Sequence, residues 1–240
     1  MKSAAEPSEN WTDLTHWDLT DIAALRMGFS PAQRSILRHN VLIPDMWGVL
    51  DKIRHYMPLC SIFAAELTRE AVRMAKKPDS TTNALKILGH AMHFLQDAGN
   101  PWHARPLLPF CQRNHTLFEE YVAANMREGF CFRNALMNAP ALSIPHPEFI
   151  HRIGDGAVHL AKTASRKFPL LDSAIRNDLF WKQDENIAAV TLELLTGCLH
   201  MTEAQIYSFS IRALSEPQPF SLPAAVTWTF LGSDRRRLIE

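Results

Sequence analysis

A short run in the middle of the chain carries residue types that bind metal ions. His93 and Asp97 lie four residues apart, and His115 and Glu119 repeat that spacing further along. Side chains four residues apart lie on one face of an α-helix, about 5–6 Å apart at their β-carbons. Zinc accepts nitrogen and oxygen donors without strong geometric demands, so an imidazole and a carboxylate placed in this way are suitable ligands. With His103 between the two pairs, the run predicts a zinc site.

A single pair of this kind is weak evidence, because an isolated His-x3-Asp pair is more often a surface or capping pair. Two pairs with a bracketed histidine inside 27 residues are much harder to obtain by chance. The sequence around them is apolar and aromatic, and includes Phe94, Trp102 and Phe118. Ionisable groups in such surroundings are costly without charged partners, and a metal ion supplies such a partner. The zinc interpretation is therefore favoured over an exposed ion pair.

The elements that position these residues are predicted to be helices. The chain has only nine glycines, and no segment alternates polar and apolar residues over a sustained stretch. Apolar residues at helical spacing predict a helix from Ser80 to about Asp97, which the Gly-Asn-Pro sequence after it ends. Ser30 and Pro31 have the types of an N-cap and a first-turn proline, and open a helix to about His39. Further helices are predicted over residues 19–29, 46–54, 60–76, 116–128, 147–167 and 184–213.

The predicted fold class is all-α, a compact multi-helix single domain over residues 11–215. Residues 1–10 are predicted to be a flexible N-terminal segment, and residues 216–240 a C-terminal extension that packs on or trails from the domain. The composition, 47% hydrophobic and 21% charged, is typical of a globular protein. No segment approaches the roughly 18–20 apolar residues of a membrane helix, and the first ten residues lack the apolar middle of a secretory leader.

Charge and cysteine content argue against other kinds of site. Lys+Arg and Asp+Glu balance at 25 each, so the chain has no global electrostatic reason to bind duplex nucleic acid tightly. The four cysteines form no C-x-x-C pair, so a cysteine zinc site is not expected. Disulfides in an exported protein and buried free thiols in a cytosolic protein fit these cysteines equally well.

The sequence LGHAMHFLQDAGNPWHA followed by NHTLFEEYV resembles the zinc-dependent phospholipase C family. That family includes the bacterial phosphatidylcholine-type enzymes and the phospholipase domain of clostridial alpha-toxin, and the P1/S1 nucleases are more distantly similar. Its pattern of His-x3-Asp, Pro-x-His and His-x3-Glu stands complete here. The resemblance is strong over about residues 85–122 and weaker upstream. It implies a helical fold of the phospholipase C / P1 nuclease type and three zinc ions per chain.

The resemblance also implies further ligands upstream of the central run. Ile43-Pro44-Asp45 and His55-Tyr56-Met57-Pro58 resemble segments that supply an Asp and a His ligand in the family, and Trp11 to His16 resembles its N-terminal segment. The family's tryptophan ligates through its free α-amino group, whereas Trp11 is preceded by ten residues and would ligate through its carbonyl oxygen unless the chain is cleaved before it. The implied ligand sets are Asp45, His55, His93 and Asp97; His103, His115 and Glu119; and His16, a bridging Asp97 and the Trp11 main chain.

The function that the resemblance implies is a phospholipase C with a phospholipid substrate at a membrane surface, and Asp45 as ligand, general base or both. The His-x3-Glu ending and the short loop before it favour this over a P1-like single-strand nuclease, whose relatives favour Asp at the last position. The close spacing of Trp11 and His16 is nuclease-like, and a non-catalytic metal-binding protein is the third alternative. No stable nucleic-acid complex is expected. Export to the periplasm or outside the cell is expected from the family, although no leader is visible.

The remaining histidines have simpler interpretations. His90 shares a face with His93 and is predicted to support the site or lie at the surface. His151 and His159 each lie four residues from Asp155, which is best interpreted as an exposed helical ion pair. His200 lies in an apolar helix and is predicted to be a core histidine with a satisfied hydrogen bond.

Overall fold

The computed structural model of the chain describes residues 11–47, 49–106, 112–142 and 146–213, without the side chains of residues 11–13, 49–51 and 112. These ranges contain eight α-helices and four short 3-10 helices and no β-strand, which confirms the all-α prediction. The 3-10 helices are Ile43–Met46, Val49–His55, Pro147–Phe149 and Trp181–Gln183. The α-helices are α1 (Trp11–Arg26), α2 (Pro31–Val41), α3 (Leu59–Ala75), α4 (Thr81–Asp97), α5 (Gln112–Arg127), α6 (Phe132–Asn138), α7 (Ile153–Asn177) and α8 (Glu185–Ala213).

Helix α4 runs through the centre of the domain. Its bounds match the predicted helix, and it packs against α2, α3 and α8. Every residue from Ala91 to Asp97 is buried, so the last two turns are enclosed on all sides rather than along one stripe. A helix enclosed in this way needs partners for its polar side chains as well as its apolar ones. His93 and Asp97 therefore lie in the interior.

Helix α2 begins with a side-chain cap, and its C-terminal part packs closely against the backbone of α4. Ser30 and Gln33 form a capping box, as the predicted N-cap requires. Near the other end, a β-carbon at Gly89 would lie 2.9 Å from Asn40 Cβ and 3.0 Å from the Leu37 carbonyl oxygen. Only a glycine in α4 allows this approach, which also places the Val41 carbonyl beside His93.

Helices α1 and α8 close the domain around the end of α4. Asp18 is fully buried in α1, and its carboxylate accepts hydrogen bonds from Arg127 and Arg133. On the same helix Arg26 pairs with the buried Glu203 of α8, with 2.8 Å between Nε and Oε1. A buried carboxylate without such partners would carry a large desolvation cost. These ion pairs therefore fix α1, and with it His16, against α5, α6 and α8.

Several predicted elements differ from the observed ones. The helix predicted over 46–54 is wrong in type, since the described chain there forms 3-10 helices, the first with Pro44 at its start. Helix α1 begins at Trp11 rather than Leu19, and α6 was not predicted because it is only seven residues long. Helix α7 begins at Ile153, after the 3-10 turn at 147, and continues past its internal Pro169.

Some expectations fall outside the described residues, namely the flexible segment 1–10 and the extension 216–240. In the described ranges Cys60, Cys131 and Cys198 are free thiols, and Cys111 lies outside them. None of the helices in those ranges combines the length and the apolar composition of a membrane span.

Replacing Gly89 with Ala should destabilise the protein by about 1–3 kcal/mol, because the added methyl would press on the α2 backbone rather than on a movable side chain. Urea unfolding followed by circular dichroism measures the change. Gly197→Ala in α8 is the matched control, since its β-carbon would meet a Leu160 methyl at 3.2 Å and alanine has the higher helix propensity. Equal losses in the two variants would contradict a specific close approach at Gly89.

Candidate metal centre

Three groups of side chains in the described part of the chain could each hold a metal ion. Within each group the nitrogen and oxygen ligand atoms all lie within 4.8 Å of one another. Eight of the nine residues predicted as metal ligands belong to these groups; the exception is Trp11. The groups are His55, His93 and Asp97; His16, Asp45 and His93; and His103, His115 and Glu119.

The first group forms where α4 faces the 3-10 helix that ends at His55. His93 Nε2 lies 2.9 Å from His55 Nδ1 and 3.3 Å from Asp97 Oδ2. His55 Nδ1 lies 2.9 Å from the same Asp97 oxygen. The His93–Asp97 pair is the helical i, i+4 arrangement that the sequence predicted, whereas His55 reaches it from 42 positions away.

The hydrogen bond of His93 Nδ1 shows that the first group needs a cation among its ligand atoms. His93 Nδ1 lies 2.8 Å from the Val41 carbonyl, so Nδ1 carries a hydrogen and donates it. In the neutral ring Nε2 then presents a lone pair to two carboxylates and a second imidazole nitrogen. Several acceptors that face one another need a cation between them, either protons or a metal ion.

The pKa values describe the case in which protons fill that role. Burial lowers the pKa of His93, but Asp97 and Asp45 outweigh it, and the net pKa is raised. Burial raises the pKa of Asp97, but the facing imidazoles outweigh it, and the net pKa lies well below the ordinary value of 3.8. Without a metal ion, the shifts therefore favour a protonated His93 beside an ionised Asp97.

Asp97 is the centre of the whole arrangement. It is 3% exposed, and its two oxygens lie 2.9 to 3.5 Å from nitrogens of four histidines. The histidines come from four separate places in the fold: α1, a 3-10 helix, α4 and the turn after α4. They are His16, His55, His93 and His103. Its Oδ1 faces His16 and His103, whereas its Oδ2 faces His55 and His93.

Asp45 completes the second group from the 3-10 helix Ile43–Met46. Its Oδ1 lies 3.5 Å from His93 Nε2 and 3.7 Å from His55 Nδ1. Its Oδ2 is buried and has no hydrogen-bond partner among the described residues. Its side chain is 27% exposed, which makes Asp45 the most accessible carboxylate of the cluster. A ligand or a water molecule would satisfy the second oxygen.

His16 is oriented by a glutamine that the ligand pattern alone did not reveal. Gln96 Oε1 accepts a hydrogen bond of 2.7 Å from His16 Nδ1. The Gln96 amide nitrogen donates to the hydroxyls of Thr20 and Thr202, at 3.1 and 3.4 Å, which fixes the direction of the amide. His16 is therefore held with Nε2 towards Asp97 Oδ1, at 3.5 Å.

The third group lies one turn further, where the chain after α4 meets α5. The Nε2 atoms of His103 and His115 are 2.8 Å apart, and both face Glu119 Oε1 at 3.6 and 2.5 Å. Burial lowers the pKa of His103, but Asp97 and Glu119 outweigh it and hold the pKa well above 6.5. Burial raises the pKa of Glu119, but its two histidines outweigh it and the net pKa is lowered.

Two further residues support the third group. Asn100 donates to Glu119 Oε1 at 3.0 Å, and its own Oδ1 accepts from the Trp102 backbone at 3.0 Å. The ring of Tyr56 stacks on His103 with 4.8 Å between centroids. In the sequence, Asn100 was interpreted only as part of a helix stop and Tyr56 only as part of a motif. Asn100 lies three residues before His103, and Tyr56 directly follows His55. This closeness to predicted ligands is the sequence signal that could have identified both residues.

The predictions for the other histidines are confirmed only in part, because the ion pair predicted at Asp155 and the core position predicted for His200 were wrong. His90 lies edge-on to Trp47 outside the three groups, and burial lowers its pKa to about 4.

His151, Asp155 and His159 are exposed, although Asp155 pairs with Arg152 rather than with a histidine. His200 is only partly buried, and donates to the Pro140 carbonyl at 3.2 Å.

Trp11 stays a prediction. It is the first residue of α1, and a helical rise of about 1.5 Å per residue separates its main chain from that of His16 by roughly 7.5 Å along the axis.

Comparisons with known proteins address the fold. The alpha toxin from Clostridium absonum, a solved structure, aligns with a TM-score of 0.56 over 88% of this chain and 66% of the toxin chain. The fold is similar to that of an alpha toxin. Sequence identity is 12%, so the likeness shows the fold alone, and this chain spans only 66% of the toxin chain's length. No family model and no curated protein matches the chain.

In the metal-free protein, His103 should remain protonated well above pH 6.5, whereas His90 should remain neutral down to about pH 4. Because the folded pKa of His103 lies above its unfolded value, its contribution to stability is complete below pH 6.5 and is lost as the pH rises through the folded pKa. NMR titration of the imidazole C–H protons, assigned with His103→Gln and His90→Gln variants, measures both values. A His103 midpoint at or below 6.5 would contradict the charge assignment.

Proposed function

We propose that this protein is a zinc-dependent phosphodiesterase, specifically a phospholipase C that hydrolyses glycerophospholipids to diacylglycerol and a phosphorylated head group. The observation that carries the proposal is the convergence of four imidazoles on the buried Asp97 carboxylate, with His115 and Glu119 alongside. The likeness to an alpha toxin supports the helical framework. The resemblance of the run from His93 to Glu119 to the phospholipase C family supports the chemistry.

The donor set and its spacing fit zinc. Two donors that each bind a tetrahedral zinc ion at about 2.0–2.1 Å lie roughly 3.3 Å apart. In the group around His93 the separations between donor atoms run from 2.9 to 3.7 Å. Imidazole nitrogen and carboxylate oxygen are both common zinc ligands. The second oxygen of Asp45 is buried without a hydrogen-bond partner among the described residues, so it is a further oxygen that could bind a metal ion.

The proposed centre would hold three zinc ions, with Asp97 shared between two ligand sets. His103, Glu119 and His115 would hold an ion of their own, and the Nε2 atoms of the two histidines lie 2.8 Å apart. The set at His16 has the fewest side-chain ligands and would need the Trp11 main chain. The ligand sets are Asp45, His55, His93 and Asp97; His103, His115 and Glu119; and His16, Asp97 and Trp11.

Zinc ions bound there would polarise a phosphoryl oxygen, activate water near neutral pH and offset the charge that develops on the leaving oxygen. Asp45 would serve through Oδ1 as a ligand, as the general base that takes a proton from water, or as both, because its side chain is the most exposed carboxylate of the cluster. Asn100 and Tyr56 fix Glu119 and the His103 ring, so that these ligands need not reorient during the reaction.

Zinc-loaded protein should hydrolyse dispersed phosphatidylcholine, and Glu119→Ala should lower the rate by at least about 100-fold and remove about one zinc ion per chain. Released head-group phosphate and bound zinc, measured on the same samples, report the two effects. His159→Ala is the matched control, since this histidine is exposed on α7 and lies outside the three groups.

A parallel assay on single-stranded DNA separates the phospholipase from a P1-like nuclease. The proposal expects head-group release and no comparable DNA cleavage. Cleavage of DNA in preference to lipid would replace phospholipase by nuclease on the same metal chemistry. Full activity of a zinc-depleted Asp97→Ala protein would remove the metal scheme altogether.

Gln96→Leu should weaken the ion at His16 specifically, by about 10- to 100-fold in affinity, because the His16 ring loses the acceptor that sets its tautomer. Zinc titration of the metal-free protein should show one weakened site and the others unchanged. Gln96→Glu keeps an acceptor at that position and should restore binding. An equal weakening of all ions by Gln96→Leu would indicate a general loss of structure instead.

A further inference from the structure

Two arginines of α2 face a buried carboxylate of α1, on the side of α1 that points away from the metal groups. Asp21 follows His16 by five residues, which places it about 140° around the helix from that predicted ligand. Its Oδ1 lies 3.5 Å from Arg34 Nη1 and 3.4 Å from Arg38 Nη1. Arg133 of α6 donates a hydrogen bond of 3.2 Å to its Oδ2. Three guanidinium groups from two other helices therefore face one carboxylate.

Positive charge is in excess among the described residues of this cluster. Asp18, the other buried carboxylate on this side of α1, is already paired with arginines of α5 and α6. Asp21 is the only carboxylate that pairs with Arg34 or Arg38 in the described part of the chain. These two arginines are four residues apart on one helix, a spacing at which like charges repel each other. A bound anion would offset that repulsion.

The guanidinium groups of Arg34 and Arg38 have donors that Asp21 does not use. Asp21 Oδ1 is buried without a hydrogen-bond partner among the described residues, so both arginines act on it through charge rather than through hydrogen bonds. The Nε atoms of both arginines are also buried and lack a partner there. Because an unpaired buried donor costs free energy, a further acceptor at this place would be stabilising.

Arg38 is held in position, and both arginines are accessible from solvent. The Arg38 guanidinium lies over the Trp17 ring, with 4.7 Å from Cζ to the ring centroid, which restricts its orientation. The side chains of Arg34 and Arg38 are 20% and 26% exposed, whereas that of Asp21 is 8% exposed. A small anion from solvent therefore reaches the arginines more readily than the carboxylate.

From these observations we infer that Arg34 and Arg38 bind a tetrahedral oxyanion of the phosphate type. The planar guanidinium group is always charged and presents paired donors that match phosphate oxygens. Free inorganic phosphate and the phosphate end of a monoester share this chemistry. The inference is independent of the proposed function, because none of these residues is a proposed metal ligand.

Calorimetry with inorganic phosphate tests the site, both on zinc-loaded protein and on protein stripped of metal. Phosphate should bind at the arginines in both preparations, because no metal ligand takes part. Arg34→Gln and Arg38→Gln should each raise the Kd of this phosphate about 10- to 100-fold, as expected when a charge-assisted hydrogen bond is lost. Arg69→Gln is the matched control and should leave the Kd unchanged, since Arg69 is exposed on α3 and pairs with Glu66.

Two results of this titration would overturn the inference. Phosphate that binds only to the zinc-loaded protein lies at the metal groups, which leaves the proposed function intact. An equal loss of affinity in Arg34→Gln, Arg38→Gln and Arg69→Gln would mean that phosphate responds to net charge alone.

Glycerol 3-phosphate in place of inorganic phosphate identifies the source of the anion. Similar Kd values for the two would support a site that accepts phosphate monoesters, and binding of inorganic phosphate alone would support a site for the free ion. Binding of neither by the folded wild-type protein would contradict the inference.

Asp21→Asn tests the site in the opposite direction. The substitution keeps an oxygen that can accept from Arg133 but removes the negative charge that competes with the ligand, so phosphate should bind about tenfold more tightly. A purely structural cluster would lose stability in this variant without any gain in phosphate affinity, and that outcome would rule out the site. This variant keeps the inference testable if an arginine variant fails to fold.

Discussion

The burial of one carboxylate governs the architecture of this protein. Asp97 is 3% exposed at the end of a helix that is enclosed on every side, and an ionised group in that position is tolerated only with close cationic or hydrogen-bonding partners. Four histidines supply them from α1, α4, a 3-10 helix and the turn after α4. The elements of the domain therefore have to meet around this point, and the ion pairs of Asp18 and Glu203 hold α1 in the position that allows it.

The same geometry accommodates protons or metal ions. The raised pKa of His93 and His103 and the lowered pKa of Asp97 describe a metal-free state in which protons balance the carboxylates. A zinc ion requires deprotonated ligands, so binding would release those protons and would strengthen with rising pH.

The parts of the site that follow from local spacing were predictable from the sequence. The pairs His93–Asp97 and His115–Glu119 are fixed by the helical repeat, and α4 has the predicted bounds. The contacts of His55 and Asp45 span tens of residues, and only the family resemblance connected them to the centre.

Gln96 and Asn100 were missed for a different reason. An amide is not among the usual zinc ligands, and the partners of Gln96 lie 76 to 106 positions away in the chain. The 3-10 helices that carry Asp45 and His55 could not be predicted either, because they lack the α-helical periodicity from which the helices were predicted. In both cases the decisive information was long-range packing rather than local pattern.

The similarity to a solved structure concerns the fold of this protein, whereas the side chains of the site concern its chemistry. At 12% identity, the similarity to an alpha toxin establishes the arrangement of helices and says nothing about a reaction, because one fold hosts many functions. The chemistry of the site rests on the side chains around Asp97, whose histidine partners come from four separate places in the fold.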